Sequence, residues 1–211
     1  NQISSDYIIT YDATDQAGNA ANQVTRKVRV RPLSLNYSKF YGANGSVENI
    51  VAVPDNSGDY YVSGNFTIYN SLVANGIVRV NNDGTVDTTF NTGDGFNGQV
   101  RSLKVSANND IYAVGDFTSY NGVNVNRIAR LKSNGDLDQS FSIGSGFNDT
   151  ATELEFSSDG SGNIYVVGNF AEYSGNTANR IIRLKSDGSI DADFNFGAGF
   201  DRETPFTVNN L

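Results

Sequence analysis

The chain has 211 residues, with 15 Lys and Arg against 23 Asp and Glu, a formal net charge of −8, and no Cys or His. The absence of cysteine excludes disulfides and thiol nucleophiles, and the absence of histidine excludes a Ser-His-Asp triad and imidazole metal ligands. A negative net charge disfavours nucleic acid as a partner, because the phosphate backbone is itself an anion. No apolar run approaches the length of a membrane span, so we expect none in this segment.

The first predicted elements are two strands within residues 1–32. Tyr and Ile residues alternate along 7–15, and Val alternates with polar and basic residues along 23–30. A turn at 16–19 separates the two strands, and Pro32 ends the second. The pattern therefore predicts a β-hairpin. Residues 1–32 carry a net charge of +1 and the remainder carries −9, which favours two different modules.

The hairpin sequence resembles a known family. The letters YIITYDATDQAGN (7–19), followed by TRKVRV (25–30), are similar to the last two strands of the Ig-like repeats of bacterial surface proteins. The resemblance implies that 1–32 is the C-terminal hairpin of an Ig-like sandwich whose earlier strands are not in this sequence. The alternative is that the hairpin belongs to the domain that follows it.

Residues 33–211 repeat two phrases three times. The shorter phrase reads YYVSGNF (60–66), IYAVGDF (111–117) and IYVVGNF (164–170). The longer phrase reads RVNNDGTVDTTFNTGDGF (79–96), RLKSNGDLDQSFSIGSGF (130–147) and RLKSDGSIDADFNFGAGF (183–200). Both recur at offsets of 51 and then 53 residues. Because two phrases keep one frame, we predict tandem repeats at about 40–90, 91–141 and 142–194, with the start of a fourth at 195–211.

The middle repeat predicts four short strands. The first covers 100–105, the second covers 111–117 and is apolar enough to be buried on both faces, the third covers 127–132, and 136–141 is a short final strand or turn. A polar loop at 118–126 and a Ser133-Asn134-Gly135 turn connect them. Four short strands per repeat are the plan of a β-propeller blade, which must stack on its neighbours. The predicted fold class is therefore all-β, with propeller-type blades after the hairpin.

Aromatic and glycine residues recur at fixed places in the repeat. We predict that the recurrent phenylalanines pack between blades: Phe66, Phe117, Phe170, Phe90, Phe141, Phe194, Phe96, Phe147 and Phe200. Gly64, Gly115 and Gly168 are predicted to allow two strands to approach closely.

The repeat also resembles a known family. The elements G-[ND]-F, R-[ILV]-x-R-[LV]-x-x-[ND]-G-x-[LIV]-D-x-x-F and G-x-G-F are similar to the delta-60 repeat of bacterial proteins, over about residues 40–211. The resemblance implies a β-propeller within large exported proteins that have no assigned reaction. The first repeat departs from the pattern, because Gly76 stands where the later repeats have Arg127 and Arg180.

Residues 33–211 hold about 3.4 repeat units, whereas propellers usually need four to eight blades. We therefore expect either that the segment belongs to a longer chain or that an oligomer completes the propeller.

Carboxylates in the repeat raise two chemical alternatives. Asp83-Gly84-x-x-Asp87, and its counterparts beginning at Asn134 and Asp187, could suggest calcium loops, although such loops need more oxygen ligands. The alternative is a hairpin turn followed by an aspartate that caps the D-x-x-F turn, so we expect no cofactor. Glu153 and Glu155 could act as a glycosidase pair, but their surrounding sequence is not apolar, and we predict solvated carboxylates and no catalytic site.

Two further residue types recur once per repeat. Arg79, Arg130 and Arg183 could bind an anion, but we predict that each pairs with an aspartate of its own or the next blade. Tyr69, Tyr120 and Tyr173 begin the polar loops at 67–76, 118–126 and 171–179. Aromatic rings on such loops can stack on sugars, so these tyrosines are the candidate contact residues, with packing inside the repeat as the alternative.

Together with the two resemblances, these features predict a non-catalytic module of a larger bacterial adhesin or fibre protein, located outside the cell or on its surface. It would act as a scaffold or binding platform for a surface glycan or a protein partner. The alternative is a carbohydrate-active enzyme or a lectin-like propeller that acts on surface glycans. The three loops vary among the repeats while the framework does not, so we predict that they form the contact surface.

Overall fold

The computed structural model describes residues 5–11, 24–30, 42–195 and 197. Every regular element within these ranges is a β-strand, and they contain no helix that could cross a membrane. The chain divides into two compact units, Asn1–Phe40 and Tyr41–Leu211, whereas the sequence placed the boundary between residues 32 and 33.

The first unit contains the predicted pair of strands. Strands β1 (Ser5–Tyr11) and β2 (Val24–Val30) pair antiparallel, from Ser5 opposite Val30 to Tyr11 opposite Val24. The first strand begins two residues earlier than the sequence predicted. The predicted turn at 16–19 lies outside the described residues, and the Ig-like origin of the hairpin stays a prediction.

The second unit contains three copies of one arrangement, which we call blades 1 to 3. Each blade is a three-stranded antiparallel sheet with a two-stranded hairpin between its second and third strands. Blade 1 comprises β3 (Ser46–Ala52), β4 (Tyr60–Asn65), β5 (Ile68–Tyr69), β6 (Leu72–Val73) and β7 (Ile77–Val80). Blade 2 comprises β8 (Val100–Val105), β9 (Ile111–Gly115), β10 (Ser119–Tyr120), β11 (Val123–Asn124) and β12 (Ile128–Leu131). Blade 3 comprises β13 (Ala151–Phe156), β14 (Ile164–Gly168), β15 (Glu172–Tyr173), β16 (Asn176–Thr177) and β17 (Ile181–Leu184).

The fourth strand of each blade is reduced to one bridge. Val80 pairs with Val86, Leu131 with Leu137, and Leu184 with Ile190. The strand cannot continue, because the chain turns back immediately: Phe141 donates its backbone N–H to Asp138 O at 3.2 Å. The predicted all-β, propeller-type blades are confirmed, and most of each fourth element is a turn.

The loops predicted at 67–76, 118–126 and 171–179 are ordered hairpins. Each turns on two residues with positive φ, as a type I′ turn requires: Asn70 and Ser71, Asn121 and Gly122, Ser174 and Gly175. In each blade, an asparagine that precedes the first strand accepts hydrogen bonds from the backbone of the hairpin. Asn97 Oδ1 accepts hydrogen bonds from the backbone N–H groups of Thr118 and Ser119, at 2.8 and 2.9 Å, and Asn44 and Asn148 do the same in blades 1 and 3.

The first strands of the blades, β3, β8 and β13, lie beside one another and form the inner edge of the three-blade stack. Each contains a β-bulge opposite its second strand. Gly115 faces this bulge, and a Cβ atom there would lie 2.0 Å from Gln99 O. Gly64 and Gly168 are equally close to their neighbouring strands, so the predicted close approach is confirmed.

Aromatic packing between blades is confirmed for Phe90 and Phe141, whereas Phe66 lies in a cluster made of blade 1 residues alone. Phe90 lies in one buried cluster with Leu103 and Ile111 of blade 2. Phe141 lies in a second cluster with Leu154 and other residues of blade 3. Burying a side chain of this size contributes about 1.5–3 kcal/mol, so the blades stabilise one another mainly through these faces. Phe200 and most of the predicted fourth repeat lie outside the described residues.

Candidate functional site

A polar groove of about 560 Å³ runs along the inner edge of the three blades. Its lining comes from residues 48–52 of β3, from Leu103 and Lys104 of β8, and from Glu153 and Glu155 of β13. Because β3, β8 and β13 are the first strands of their blades, the groove is lined by equivalent parts of the three repeats.

The groove positions differ from blade to blade, while their neighbours do not. Three residues are equivalent because each lies opposite the tyrosine of its second strand: Val51, Lys104 and Glu155. Two positions earlier, the equivalent residues are Asn49, Ser102 and Glu153. Between them the chain keeps an aliphatic residue: Ile50, Leu103 and Leu154. Variable residues therefore alternate along each strand with a constant aliphatic position, at which Ile50 and Leu103 also line the groove.

Side chains of one blade bind the next blade across this groove. Ser102 Oγ donates a 2.5 Å hydrogen bond to Glu153 Oε1, and Lys104 Nζ donates one of 2.5 Å to Glu155 Oε2. Asn49 Nδ2 donates to Arg101 O at 3.1 Å. The two glutamates were predicted to be solvated, but they are half-buried and joined to blade 2, which the sequence could not reveal because the partners lie 51 residues away.

A second ionic contact lies beside the groove. The Arg101 guanidinium donates to the Asp116 carboxylate, with a shortest distance of 2.7 Å, and Thr150 of blade 3 donates to the same carboxylate at 2.7 Å. Burial alone would raise the pKa of Asp116, but the hydrogen bonds from Arg101 and Thr150 hold it below its ordinary value. Asp116 therefore remains ionised at neutral pH and connects blades 2 and 3.

The recurrent arginines are ion-paired within their own blades, as predicted. Arg79 lies 2.8 Å from Asp59, Arg130 lies 2.7 Å from Asp138, and Arg183 lies 2.6 Å from Asp191. Each guanidinium also lies 5.8–6.0 Å from the ring centroid of the tyrosine in its second strand. With these partners, the three arginines do not form a ring that is open to an anion.

The aspartates of the D-x-x-F turns cap those turns. Asp87 Oδ1 accepts hydrogen bonds from the backbone N–H and the hydroxyl of Thr89, at 2.8 and 2.6 Å. Asp138 makes the same two contacts with Ser140. The turn-capping interpretation is confirmed. Within residues 42–195, no three acidic side chains come together as a metal site, so the calcium alternative gains no support there.

Two of the three tyrosines predicted as contact residues are in the core. Tyr120 and Tyr173 are each 1% exposed, and their hydroxyls donate to Gly135 O and Gly188 O at 2.5 and 2.7 Å. Tyr69 is half-buried against Phe66. The rings fill the space between the hairpin and the following turn, so Tyr120 and Tyr173 cannot stack on a sugar and the packing alternative holds for them.

Exposed aliphatic side chains on the hairpins were missed by the sequence analysis. In blades 1 and 2 they belong to Ile68, Leu72, Val73 and Val123. Below the two hairpins lie equivalent small pockets of about 270 and 170 Å³. The signal was present in the sequence, since valine and leucine interrupt the otherwise polar loops. The corresponding positions in blade 3 are polar, Asn176 and Thr177.

The stacked antiparallel blades and their shared inner edge define a β-propeller repeat protein. One family model, described as "Domain of unknown function (DUF5122) beta-propeller", matches residues 56–90, 107–141 and 158–194. These segments run from the second strand of each blade to its D-x-x-F turn and make up about half of the chain. The chain belongs to this family.

Among solved structures, the chain is similar to the WD40 beta propeller domain of Doa1, with 16% sequence identity and a TM-score of 0.36. The match covers 66% of this chain and 50% of that one, so the chain spans about half the length of that structure. The search of curated proteins found no match.

Proposed function

We propose that this segment is a non-catalytic scaffold and binding module of an extracellular or cell-surface bacterial protein, and that the inner-edge groove contacts its partner. One observation carries the proposal. At equivalent positions the three blades place Val51, Lys104 and Glu155 in the groove, while the aliphatic residue before each stays aliphatic. Residues that vary at equivalent positions of a repeated framework are typical of a recognition surface.

The chemistry of the groove suits an extended, polar partner. Glu48 is exposed, and Asn49 and Lys104 are half-buried, so carboxylate, amide and ammonium groups face the same space. The side chain of Ile50 lies among them and is exposed. A protein segment with basic, hydrogen-bonding and apolar side chains would satisfy all these groups.

The contacts of the two glutamates support a binding role over hydrolysis. Glu153 binds the Ser102 hydroxyl and Glu155 binds the Lys104 ammonium group. A glycosidase pair needs one carboxyl group free to protonate the leaving group and a second that is free to attack or to activate water. Here both carboxylates fasten adjacent blades.

A lectin-like module that binds surface glycans is the second candidate. The observation that favours it is the mixture of amide and carboxylate groups in one polar space, because sugar hydroxyls both donate and accept hydrogen bonds. A carbohydrate-active enzyme would use the same surface.

We also propose that the repeats are delta-60 repeats and that β1 and β2 end an Ig-like domain. The recurring G-[ND]-F and D-x-x-F phrases support the first assignment. The antiparallel pairing of β1 with β2 is compatible with the second. Tandem modules of these two kinds suit a stalk or fibre on a cell surface.

The proposal can be tested by screening the protein against a random-peptide display library and a glycan array in parallel. We expect a peptide ligand whose affinity falls at least about tenfold in a Glu48→Ala, Asn49→Ala double variant. The matched control is Glu172→Ala, an exposed glutamate of β15 outside the groove. Equal binding by both variants would remove the groove from the proposal. Binding to a single glycan class without hydrolysis would favour the lectin, and cleavage of the arrayed glycans would overturn the non-catalytic assignment.

A further inference from the structure

Within residues 42–195, asparagine is followed directly by glycine at Asn44, Asn75, Asn97, Asn121 and Asn134. Such a pair can react with itself, because glycine has no Cβ atom to obstruct its own nitrogen. The glycine main-chain nitrogen forms a bond to the asparagine Cγ atom, and the bond from Cγ to Nδ2 breaks with release of ammonia. Water then opens the five-membered imide at either carbonyl, which gives aspartate or isoaspartate. The attack needs a carboxamide that is free to turn and a glycine N–H that is not hydrogen-bonded.

Two of the five carboxamides are held by a hairpin. The Oδ1 atoms of Asn44 and Asn97 each accept two backbone N–H groups, at 2.8–2.9 Å. Their Nδ2 atoms donate to the hydroxyls of Thr67 and Thr118, at 3.0 and 2.8 Å. These hydrogen bonds would have to break before Cγ could turn towards the nitrogen of the following glycine.

Two further pairs are restrained at the glycine. Gly76 donates its backbone N–H to Phe66 O, and Gly135 donates its backbone N–H to Lys132 O, both at 2.9 Å. The carboxamide before each glycine also donates to an aspartate oxygen, at 2.7 and 2.8 Å. In either pair the attack would therefore break at least one hydrogen bond.

The remaining pair, Asn121-Gly122, has neither restraint. Both residues are exposed at the tip of the hairpin formed by β10 and β11. In the part of the chain that the structure describes, the Gly122 N–H makes no hydrogen bond, and the Asn121 carboxamide has one long hydrogen bond, from Asp94 N–H to Oδ1 at 3.2 Å. A Cβ atom at Gly122 would meet nothing within 4 Å, so there is open space around the turn.

The equivalent turns of the other two blades lack the reactive pair. Blade 1 has Asn70-Ser71, in which a side chain follows the asparagine and Asn70 Oδ1 accepts the Gly42 N–H at 3.0 Å. Blade 3 has Ser174-Gly175, which has no carboxamide. The three repeats therefore provide one reactive turn and two natural controls.

We propose that Asn121 is a site of spontaneous covalent modification, at which the Gly122 nitrogen displaces ammonia and water then yields aspartate and isoaspartate. Either product replaces a neutral carboxamide with a carboxylate near the exposed Asp94. Isoaspartate also adds a methylene group to the main chain of a two-residue turn, whose length sets the pairing of Tyr120 with Val123. The modification should therefore disturb the hairpin of blade 2 alone, and it does not depend on what the groove binds.

The first test is to incubate the intact chain at mildly alkaline pH and to follow its tryptic peptides by mass spectrometry. Cleavage after lysine and arginine places Asn121 in the peptide 105–127, Asn134 in 133–180, Asn97 in 80–101, and the other two in 40–79. The peptide 105–127 should gain the mass of the amide-to-acid change at least about fivefold faster than the others, because each restrained pair must first break a hydrogen bond. Fragment ions should locate the change at Asn121. An unmodified 105–127 peptide, or an equal rate in another peptide, would overturn the proposal.

The second test separates the effect of the fold from that of the local sequence. In concentrated urea the five pairs should react at similar rates, because the hydrogen bonds that restrain four of them are lost. A 105–127 peptide that stays the fastest by the same factor in urea would contradict the structural explanation. Asn121→Ser, which copies the turn of blade 3, should abolish the mass gain at the turn in the folded chain. Labelling by an isoaspartyl methyltransferase detects isoaspartate, and a product that is aspartate alone would contradict the imide intermediate.

Discussion

Arg130 of blade 2 donates a 2.6 Å hydrogen bond from its guanidinium to the main-chain oxygen of Ser186 in blade 3. The same guanidinium binds Asp138, which caps the D-x-x-F turn of its own blade. One side chain therefore ties the end of a blade to the turn of the next. A parallel backbone contact, Ser142 N–H to Asp187 O at 2.8 Å, lies beside it.

Replacing Arg130 by alanine should lower the free energy of unfolding by about 3 kcal/mol. Asp138 would lose its partner in a largely buried position, and such losses are expensive. Urea unfolding followed by far-UV circular dichroism measures the change. The control is Arg101→Ala, whose pair with Asp116 is more exposed and should cost less than about 1 kcal/mol. Equal losses in the two variants would contradict the view that the burial of the Arg130–Asp138 pair sets the cost.

Acid should destabilise the protein only below about pH 4. Burial alone would raise the pKa of Asp87 and of Asp138, but hydrogen bonds from their own turns and the nearby arginine hold both below the ordinary 3.8. Because these pKa values are lower in the folded state, their stabilisation is complete above the unfolded pKa and is lost as the pH falls through the folded one. With no histidine in the chain, the free energy of unfolding should be level from about pH 5 to pH 9.

The acid response can be assigned with one substitution. Asp138→Asn should show a shallower loss of stability between about pH 4 and pH 2 in urea titrations. The exposed Asp94 offers a matched control as Asp94→Asn, which should follow the wild-type curve. An unchanged curve for Asp138→Asn would assign the acid response to other carboxylates.

Alkali should destabilise the protein through its buried tyrosines. Burial raises the pKa of Tyr120 and of Tyr173 above the ordinary 10.0. Their stabilisation is therefore complete below that value and is lost as the pH rises through the folded-state pKa. Tyr120→Phe should cost about 1–2 kcal/mol at pH 7, because Gly135 O loses its donor, and should weaken the alkaline response. Tyr60→Phe is the control, since Tyr60 is exposed, and a similar change in both variants would contradict the assignment.

The sequence predicted the blades because their signals are local. Alternating apolar residues predicted β8 at 100–105, which is where the strand lies. The Asn-Gly dipeptide predicted the turn at Gly135. The hydroxyl partner of Tyr120 could not be predicted, because Gly135 O comes close only after the hairpin folds back. An exposed ring and a buried ring look the same at that position in the sequence.

The sequence did not reveal the groove, because the connections between the first and second strands differ in length among the three blades. The recurring phrases align the repeats at offsets of 51 and 53, but the inner strands align at 53 and 51, because Val51, Lys104 and Glu155 are equivalent. The connections at 53–59 and 157–163 have two residues more than the one at 106–110. Alignment by phrase therefore shifts the inner strand by two residues and conceals that Lys104 and Glu155 occupy the same position.

Gly115→Ala should be among the most damaging small substitutions in blade 2. The added Cβ would lie 2.0 Å from Gln99 O and 3.1 Å from Arg101 N, so strands β8 and β9 would have to separate. We expect a loss of more than about 3 kcal/mol, or failure to fold. At Gly122 a Cβ would meet nothing within 4 Å, although its φ of +76° disfavours alanine. Gly122→Ala should therefore cost about 1 kcal/mol, and an equal loss at both sites would refute the steric explanation.

Arg127 combines a strained backbone with a contact to the next blade. Its φ is 66°, in the left-handed region where Gly76 lies in blade 1, and its guanidinium donates to Phe147 O at 3.0 Å. Arg127→Gly loses that hydrogen bond but relieves the strain, so the free energy of unfolding should change by less than about 1 kcal/mol. Arg127→Ala loses the bond and keeps the strain, and should be less stable than Arg127→Gly by about 1 kcal/mol. Urea unfolding of both variants measures this difference. Equal stabilities would mean that the positive φ of residue 127 is not strained, and relief of strain would not explain Gly76 in blade 1.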